Sequence, residues 1–199
     1  MIQNKLALIA LGANLPSAAA DVGETLRSAA SILHENQNTT ITTFSRFWRT
    51  PAMPAGSGPD YVNAALTLRT ALPAPELLAL LHDIEADFGR DRGTGRWSSR
   101  VLDLDLIGYG DLVLPDRETQ QHWMALPPAR QLTDTPETLI LPHPRLQDRG
   151  FVLAPLAEIA ADWIHPLTGQ SVAQMLAALP DRATRGMTPF AMREMPVLP

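Results

Sequence analysis

Several shortages bound what this chain can be. It has no cysteine, which excludes disulfides, thiolate metal sites and a cysteine nucleophile. Lys5 is its only lysine. That rules out a phosphate loop of the Gly-Lys-Ser/Thr type and makes Schiff-base chemistry a poor fit. No apolar run approaches the roughly 20 residues that span a bilayer. The opening Met1-Ile2-Gln3-Asn4-Lys5 lacks the features of a signal peptide. Positive charge is scarce too, and a net charge of -5 argues against nucleic acid or an anionic membrane as the main partner. Hydrophobic residues make up 45% of the 199 residues and charged ones 19%. Those proportions describe an ordinary globular domain with enough chain to bury a core. A cytoplasmic, monomeric enzyme with small-molecule substrates is the expectation. Any phosphate chemistry in it must rest on arginine, backbone N–H groups and metal.

The hydrophobic pattern predicts an order of elements. Residues 5–11 are nearly all apolar and end at Gly12-Ala13-Asn14, which reads as a buried strand closed by a turn. Val22, Leu26, Ala29 and Leu33 recur at helical spacing over residues 21–35. Residues 39–48 are rich in Thr, Ile and Phe and predict a strand. Residues 60–70 alternate, with Val62, Ala64, Leu66 and Leu68 on one face and Tyr61, Asn63, Ala65 and Thr67 on the other. Pro75 opens a second helix striped by Leu77, Leu81, Ile84 and Phe88, and Gly89 ends it. A strand through residues 102–107 completes β-α-β-β-α-β. That order predicts an α+β fold: a ferredoxin-like split βαβ core, a mainly antiparallel sheet with helices on one face, and an available opposite face. Beyond Gly110 the signal weakens. Residues 111–137 read as an extended loop with a short strand at 112–114, residues 139–141 as a brief strand that would close a hairpin, and residues 152–160 and 172–179 as helices. The expected division is one domain over residues 1–180 and an unpacked tail over 181–199.

Chemistry concentrates at residues 89–105. Asp103 and Asp105 share one face of their strand, roughly 6.5–7 Å apart, while Leu102, Leu104 and Leu106 take the other. Oxygen ligands of this kind suit Mg²⁺, which usually brings substrate phosphates with it. Just upstream, Arg90, Arg92, Arg96 and Arg100 crowd a glycine-rich loop against a single acid, Asp91. Their mutual repulsion predicts an anion, and the guanidinium fork matches phosphate oxygens. Arginines, a carboxylate pair and a loop able to close are the parts that phosphoryl transfer needs. On the residues alone, two readings stay open. One is a Mg²⁺-dependent nucleotidyl- or phosphotransferase on a ferredoxin-like core; the other is a non-catalytic module that senses nucleotide.

A run of motifs narrows the choice. Gly12-Ala13-Asn14-Leu15, Arg49-Thr50-Pro51, Tyr61-Val62-Asn63-Ala64-Ala65, Ile84-Glu85, Gly89-Arg90-x-Arg92, Arg96-Trp97-x-x-Arg100, Leu102-Asp103-Leu104-Asp105, Pro142-His143-Pro144 and Arg149-Gly150-Phe151 occur in one order. In that order the chain closely resembles the 6-hydroxymethyl-7,8-dihydropterin pyrophosphokinases of folate biosynthesis. The resemblance implies transfer of pyrophosphate from ATP to the pterin, with Asp103 and Asp105 holding two Mg²⁺ ions. It gives Arg90 and Arg100 catalytic roles on ATP. It assigns Glu85, Arg92, Trp97, Leu106, His143 and Arg149 to ATP binding. Thr50, Pro51, Met53, Tyr61, Asn63 and Phe151 are assigned to the pterin, with Tyr61 and Phe151 as the stacking pair. The chain departs from the family pattern at Ser98-Ser99, at His82 where relatives carry glutamine, in the long segment 111–137 and in the tail. His34, His122 and His165 have no chemical company and read as surface or incidental residues.

Overall fold

The computed structural model describes residues 4–15, 21–52, 58–89 and 101–189. Met53, Arg90, Arg92, Trp97 and Arg100 lie outside these residues. β1 (Lys5–Ala13) is the apolar run of the sequence, buried on both faces from Ala7 onward. It lies between β5 (Asp103–Tyr109) and β4 (Tyr61–Thr70); β4 is followed by β3 (Trp48–Thr50), and β3 by β6 (Thr188–Pro189) at the edge. β2 (Thr39–Phe44) runs along the remaining length of β4. Every pairing is antiparallel. With β2 and β3 taken together, the last strand of the core sits beside the first and the first beside the third, the split βαβ arrangement.

α1 (Val22–Glu35) starts at a capping box. Asp21 accepts the Glu24 backbone N–H at 2.8 Å, and the Glu24 side chain accepts the Asp21 N–H at 3.3 Å. α2 (Ala74–Asp87) has proline in its first turn and ends where Gly89 takes φ +83. Both helices lay their apolar stripes on one sheet face: Leu26, Leu33, Leu77, Leu81 and Ile84 meet Ile9, Leu11, Leu66, Leu68 and Leu104. Each leucine so buried stabilises the fold by roughly 1.5–3 kcal/mol relative to leaving it in water.

The opposite face is not left free as the sequence implied. α5 (Gly150–Ile159) and α6 (Val172–Ala178) cover half of it, packing Leu153, Leu156, Val172 and Met175 against Leu8, Ala65 and Ile107. Asp103, Asp105 and Tyr61, on the other half, stay partly exposed. A bulge in β1–β5 between Leu8 and Ile9 leaves Ile107 as the extra residue, so that Ile107 and Gly108 both turn toward the α5–α6 side, Ile107 in that core and Gly108 against Trp163.

Three more expectations need correction. The strand over residues 39–48 is two strands, because the chain bends at Ser45–Phe47. Ser45 still bonds both ways with Ala65, donating its N–H to the Ala65 carbonyl and accepting the Ala65 N–H on Oγ, each at 2.9 Å. Residues 111–137 are not an extended loop. They hold α3 (Arg117–Met124) and α4 (Pro128–Thr133), closed at their base by a bridge between Leu114 and Leu141. The tail is structured as far as Pro189, although none of its residues is buried: Asp181–Ala183 forms a 3-10 turn, and Thr188 and Pro189 pair with Arg49 and Trp48.

Candidate active site

The strand register explains why these side chains meet. Asp103 stands opposite Gly12, Gly12 opposite Asn63, and Asn63 opposite Trp48. Asp105 stands opposite Ala10, and Tyr61 opposite Thr50. Residues directly opposite in antiparallel strands point to the same face. So Asp103, Asp105, Asn63, Tyr61 and Thr50 share one face, with two strand spacings, roughly 10 Å, between the carboxylates and the amide. Gly12 is needed in the middle of this row: a Cβ there would lie 2.9 Å from Asn63 Oδ1. Asn63 is 6% exposed and donates from Nδ2 to Thr50 Oγ1 at 2.7 Å. Its carbonyl oxygen and second amide hydrogen remain a donor–acceptor pair aimed along the face.

A second wall comes from the turn that precedes α5. The His143 N–H donates to the Ile107 carbonyl at 2.8 Å, which fixes the turn to the outer edge of β5. His143 Nδ1 accepts the Arg145 N–H at 3.0 Å. In the neutral ring the proton is therefore on Nε2, a donor for an anion rather than a ligand for a metal. The ring stays neutral because its pKa falls to about 3. Burial opposes the charged form, and the Arg149 guanidinium repels it. Arg149 lies 3.7 Å from Asp105 and 5.6 Å over the Phe151 ring. Phe151, the second residue of α5, is 39% exposed.

His165 is also neutral, and it is not a surface residue. It is fully buried, its Nδ1 accepts the N–H groups of Leu167 and Thr168 at 3.2 and 3.4 Å, and burial lowers its pKa to about 4. Unfolding frees both rings to protonate, so the unfolded chain binds more protons between about 6.5 and these folded values. Stability is therefore full above that pH and lost as pH falls below it. His165 alone contributes a slope of up to about 1.4 kcal/mol per pH unit. The denaturant midpoint should drop between pH 7.5 and pH 5, and less steeply in His165→Gln; a flat profile for the parent chain would contradict the burial of neutral imidazoles.

Family members are recognised by sequence, and residues 8–161 match the model of the family described as 7,8-dihydro-6-hydroxymethylpterin-pyrophosphokinase (HPPK). The chain belongs to the HPPK family. Three relatives carry the name 2-amino-4-hydroxy-6-hydroxymethyldihydropteridine pyrophosphokinase. The one from Synechocystis is 45% identical over 59% of this chain and 50% of its own. The Bacillus subtilis protein is 35% identical over 78% of each chain. The Haemophilus influenzae protein is 31% identical over 92% of this chain and 98% of its own. The match to the Synechocystis protein thus spans half of that relative's length. Among solved structures, a Plasmodium falciparum HPPK-DHPS shares the fold with a TM-score of 0.63 at 11% identity, over 88% of this chain and 42% of its own.

Within this HPPK chain, several assigned residues act at one remove from the open face. Glu85 is fully buried, and its Oε1 accepts the Leu104 N–H at 2.7 Å, fastening the edge of β5 to α2. The Leu106 side chain belongs to the helix-side core, so only its backbone can reach a ligand. Pro51 is exposed at the end of β3. Other contributors had no signal in the sequence. Arg145 donates to the Trp123 and Met124 carbonyls at 2.8 and 3.2 Å, and Gln120 Nε2 donates to the Pro142 carbonyl at 2.9 Å. Together they dock α3 on the His143 turn. Glu158, on α5, accepts from Arg46 Nη2 at 2.7 Å and from Trp48 Nε1 at 3.1 Å. Asp103 and Asp105 supply oxygen donors only, and no cluster of three or more His, Asp or Glu surrounds them among the described residues. Such a pair fits a hard divalent cation that takes its remaining ligands from phosphate and water.

Proposed function

We propose that this chain transfers the pyrophosphoryl group of ATP to the hydroxymethyl oxygen of 6-hydroxymethyl-7,8-dihydropterin, releasing AMP, as a monomer in the cytoplasm. The observation that carries the reading is the row Asp103–Gly12–Asn63, which puts an anion-and-cation site and a hydrogen-bonding site on one sheet face. The pterin hydroxyl oxygen bonds to the β-phosphorus, the α–β bridging bond breaks, and the bridging oxygen leaves on AMP. Asp103 and Asp105 would hold Mg²⁺, two ions in this reading, and the metal would offset the negative charge of the triphosphate.

The protein's own groups position and neutralise. By the family resemblance, Arg90 and Arg100 act on the triphosphate and Arg92 and Trp97 contribute to ATP binding. His143 donates from Nε2 to a phosphate oxygen. Arg149, 3.7 Å from Asp105, pairs with phosphate when ATP binds. Glu85 serves the nucleotide site by holding Leu104 in place, and Leu106 offers backbone. On the pterin side, Asn63 reads the amide edge with the donor and acceptor left over from its bond to Thr50. Tyr61 and Phe151 stack on the ring, Pro51 walls the slot, and Met53 is a further pterin contact by the family resemblance alone. The test is AMP release from Mg-ATP. Release that depends on added 6-hydroxymethyl-7,8-dihydropterin supports the reading, and release at the same rate without it overturns it.

A further inference from the structure

The tail that read as unpacked in the sequence touches both walls of the slot just described. Thr188 and Pro189 extend the sheet beside Arg49 and Trp48, next to Thr50. Two residues earlier, Gly186 lies against the Pro51 ring so closely that a Cβ there would be 2.9 Å from Pro51 Cγ. Further back, Ala183 ends the 3-10 turn with its carbonyl oxygen against Gly150, where a Cβ would overlap it. Gly150 is the first residue of α5 and Phe151 the second. One stretch of nine residues, Asp181 to Pro189, therefore spans from the Thr50–Pro51 wall to the base of Phe151. Internal bonds make the stretch compact: Ala183 N–H to Pro180 O at 2.8 Å and Met187 N–H to Thr184 O at 3.1 Å.

The opposite end of α5 is tied to the same strand. Glu158 accepts from Arg46 and Trp48. α5 is thus clasped to the β2–β3 edge near its C-terminus by Glu158 and at its N-terminus by the tail. The buried Val152, Leu153 and Leu156 hold the middle of α5 on the sheet, and the two clasps bear on its ends, the N-terminal one beside Phe151.

We propose that residues 181–189 are a brace that fixes the width of the pterin slot and so governs affinity for the flat heterocycle without touching it. The inference rests on placing the pterin between Phe151 and Tyr61. These are positioning residues, and their effect should fall on the pterin and spare the nucleotide. Gly150→Ala is the sharpest probe, because alanine suits a helix first turn and what stands in its way is the tail itself, the Ala183 carbonyl and the Thr184 methyl. Binding is read by calorimetry with two probes. α,β-Methylene-ATP, whose P–C–P linkage cannot be cleaved at the reacting bond, is titrated alone. 6-Hydroxymethyl-7,8-dihydropterin is then titrated with that analogue saturating. In Gly150→Ala the pterin Kd should rise about tenfold, as expected for a modest misplacement of one wall, with the analogue Kd within twofold of the parent.

A second variant covers the case in which Gly150→Ala fails to fold. The chain has no cysteine, so Arg49→Cys with Thr188→Cys places one disulfide across the β3–β6 pair. Oxidation should tighten pterin binding relative to the reduced form and leave the analogue unaffected. Equal pterin affinity in parent, Gly150→Ala and both redox forms overturns the brace, and so does a parallel loss of pterin and analogue. Asn63→Ala separates the two levels. If it weakens pterin binding while the brace variants do not, the slot stands and the brace falls; if it leaves pterin binding intact, the slot assignment itself is wrong.

Discussion

Asp103→Ala should lower the rate of AMP formation by about a thousandfold or more, roughly 4 kcal/mol of transition-state stabilisation, in a protein that remains folded. Asp103 projects from the edge strand opposite Gly12, with its side chain partly exposed. The strand is held by other means: Leu104 and Leu106 in the helix-side core, the Leu104 N–H on Glu85 and the Ile107 carbonyl on His143. Deleting the carboxylate also relieves repulsion from Asp105. The melting temperature should therefore move by no more than about 2 °C, the scale of an exposed substitution. Asp103→Asn keeps the shape and loses the charge, and should be nearly as inactive. A variant that melts normally and still makes AMP at a near-parental rate would remove the carboxylate pair from the mechanism.

Asn63→Ala should weaken pterin binding about a hundredfold and leave ATP-analogue binding close to normal. The amide is buried beside Gly12, and its bond to Thr50 Oγ1 fixes which way it faces. Alanine removes the partner of the heterocycle's polar edge and also strips Thr50 of its donor. Thr50 is stripped in the free and bound forms alike, so the effect on affinity comes from the donor and the acceptor of the heterocycle's edge, each costing about 1–3 kcal/mol when left unpaired. Calorimetry with each ligand separately distinguishes this from general damage, which would weaken both. Equal weakening of both ligands would mean that Asn63 supports the sheet rather than the substrate.

How much of this was legible in the sequence depended on what holds each element. Strands and helices that bury apolar stripes, such as β4 with Val62, Ala64 and Leu66 or α1 with Leu26 and Leu33, announce themselves by period. The carboxylate pair was legible because alternation alone puts Asp103 and Asp105 on one face. α3 was not, because it buries a single residue, glutamine. It is held by Gln120, by Arg145 and by an Asp116 cap that accepts the Thr119 N–H at 2.8 Å. Hydrophobic periodicity cannot register polar docking of that kind. β6 is two residues long, and its place depends on Gly186 and Gly150 making room. His165 misled for the opposite reason: a lone histidine in a polar turn gives no hint that the turn folds around its ring. Glu85 read as a nucleotide contact from its motif, whereas its burial against the Leu104 N–H belongs to the tertiary structure alone.

Phosphorus NMR of the reaction mixture tests the central claim most directly, because it follows both terminal phosphorus atoms of ATP. With Mg-ATP and 6-hydroxymethyl-7,8-dihydropterin, the β- and γ-phosphorus signals should move together onto the pterin as a diphosphate ester, with AMP appearing in equal amount. Formation of ADP with a pterin monophosphate, or AMP accompanied by free pyrophosphate and unmodified pterin, would contradict pyrophosphoryl transfer at this site.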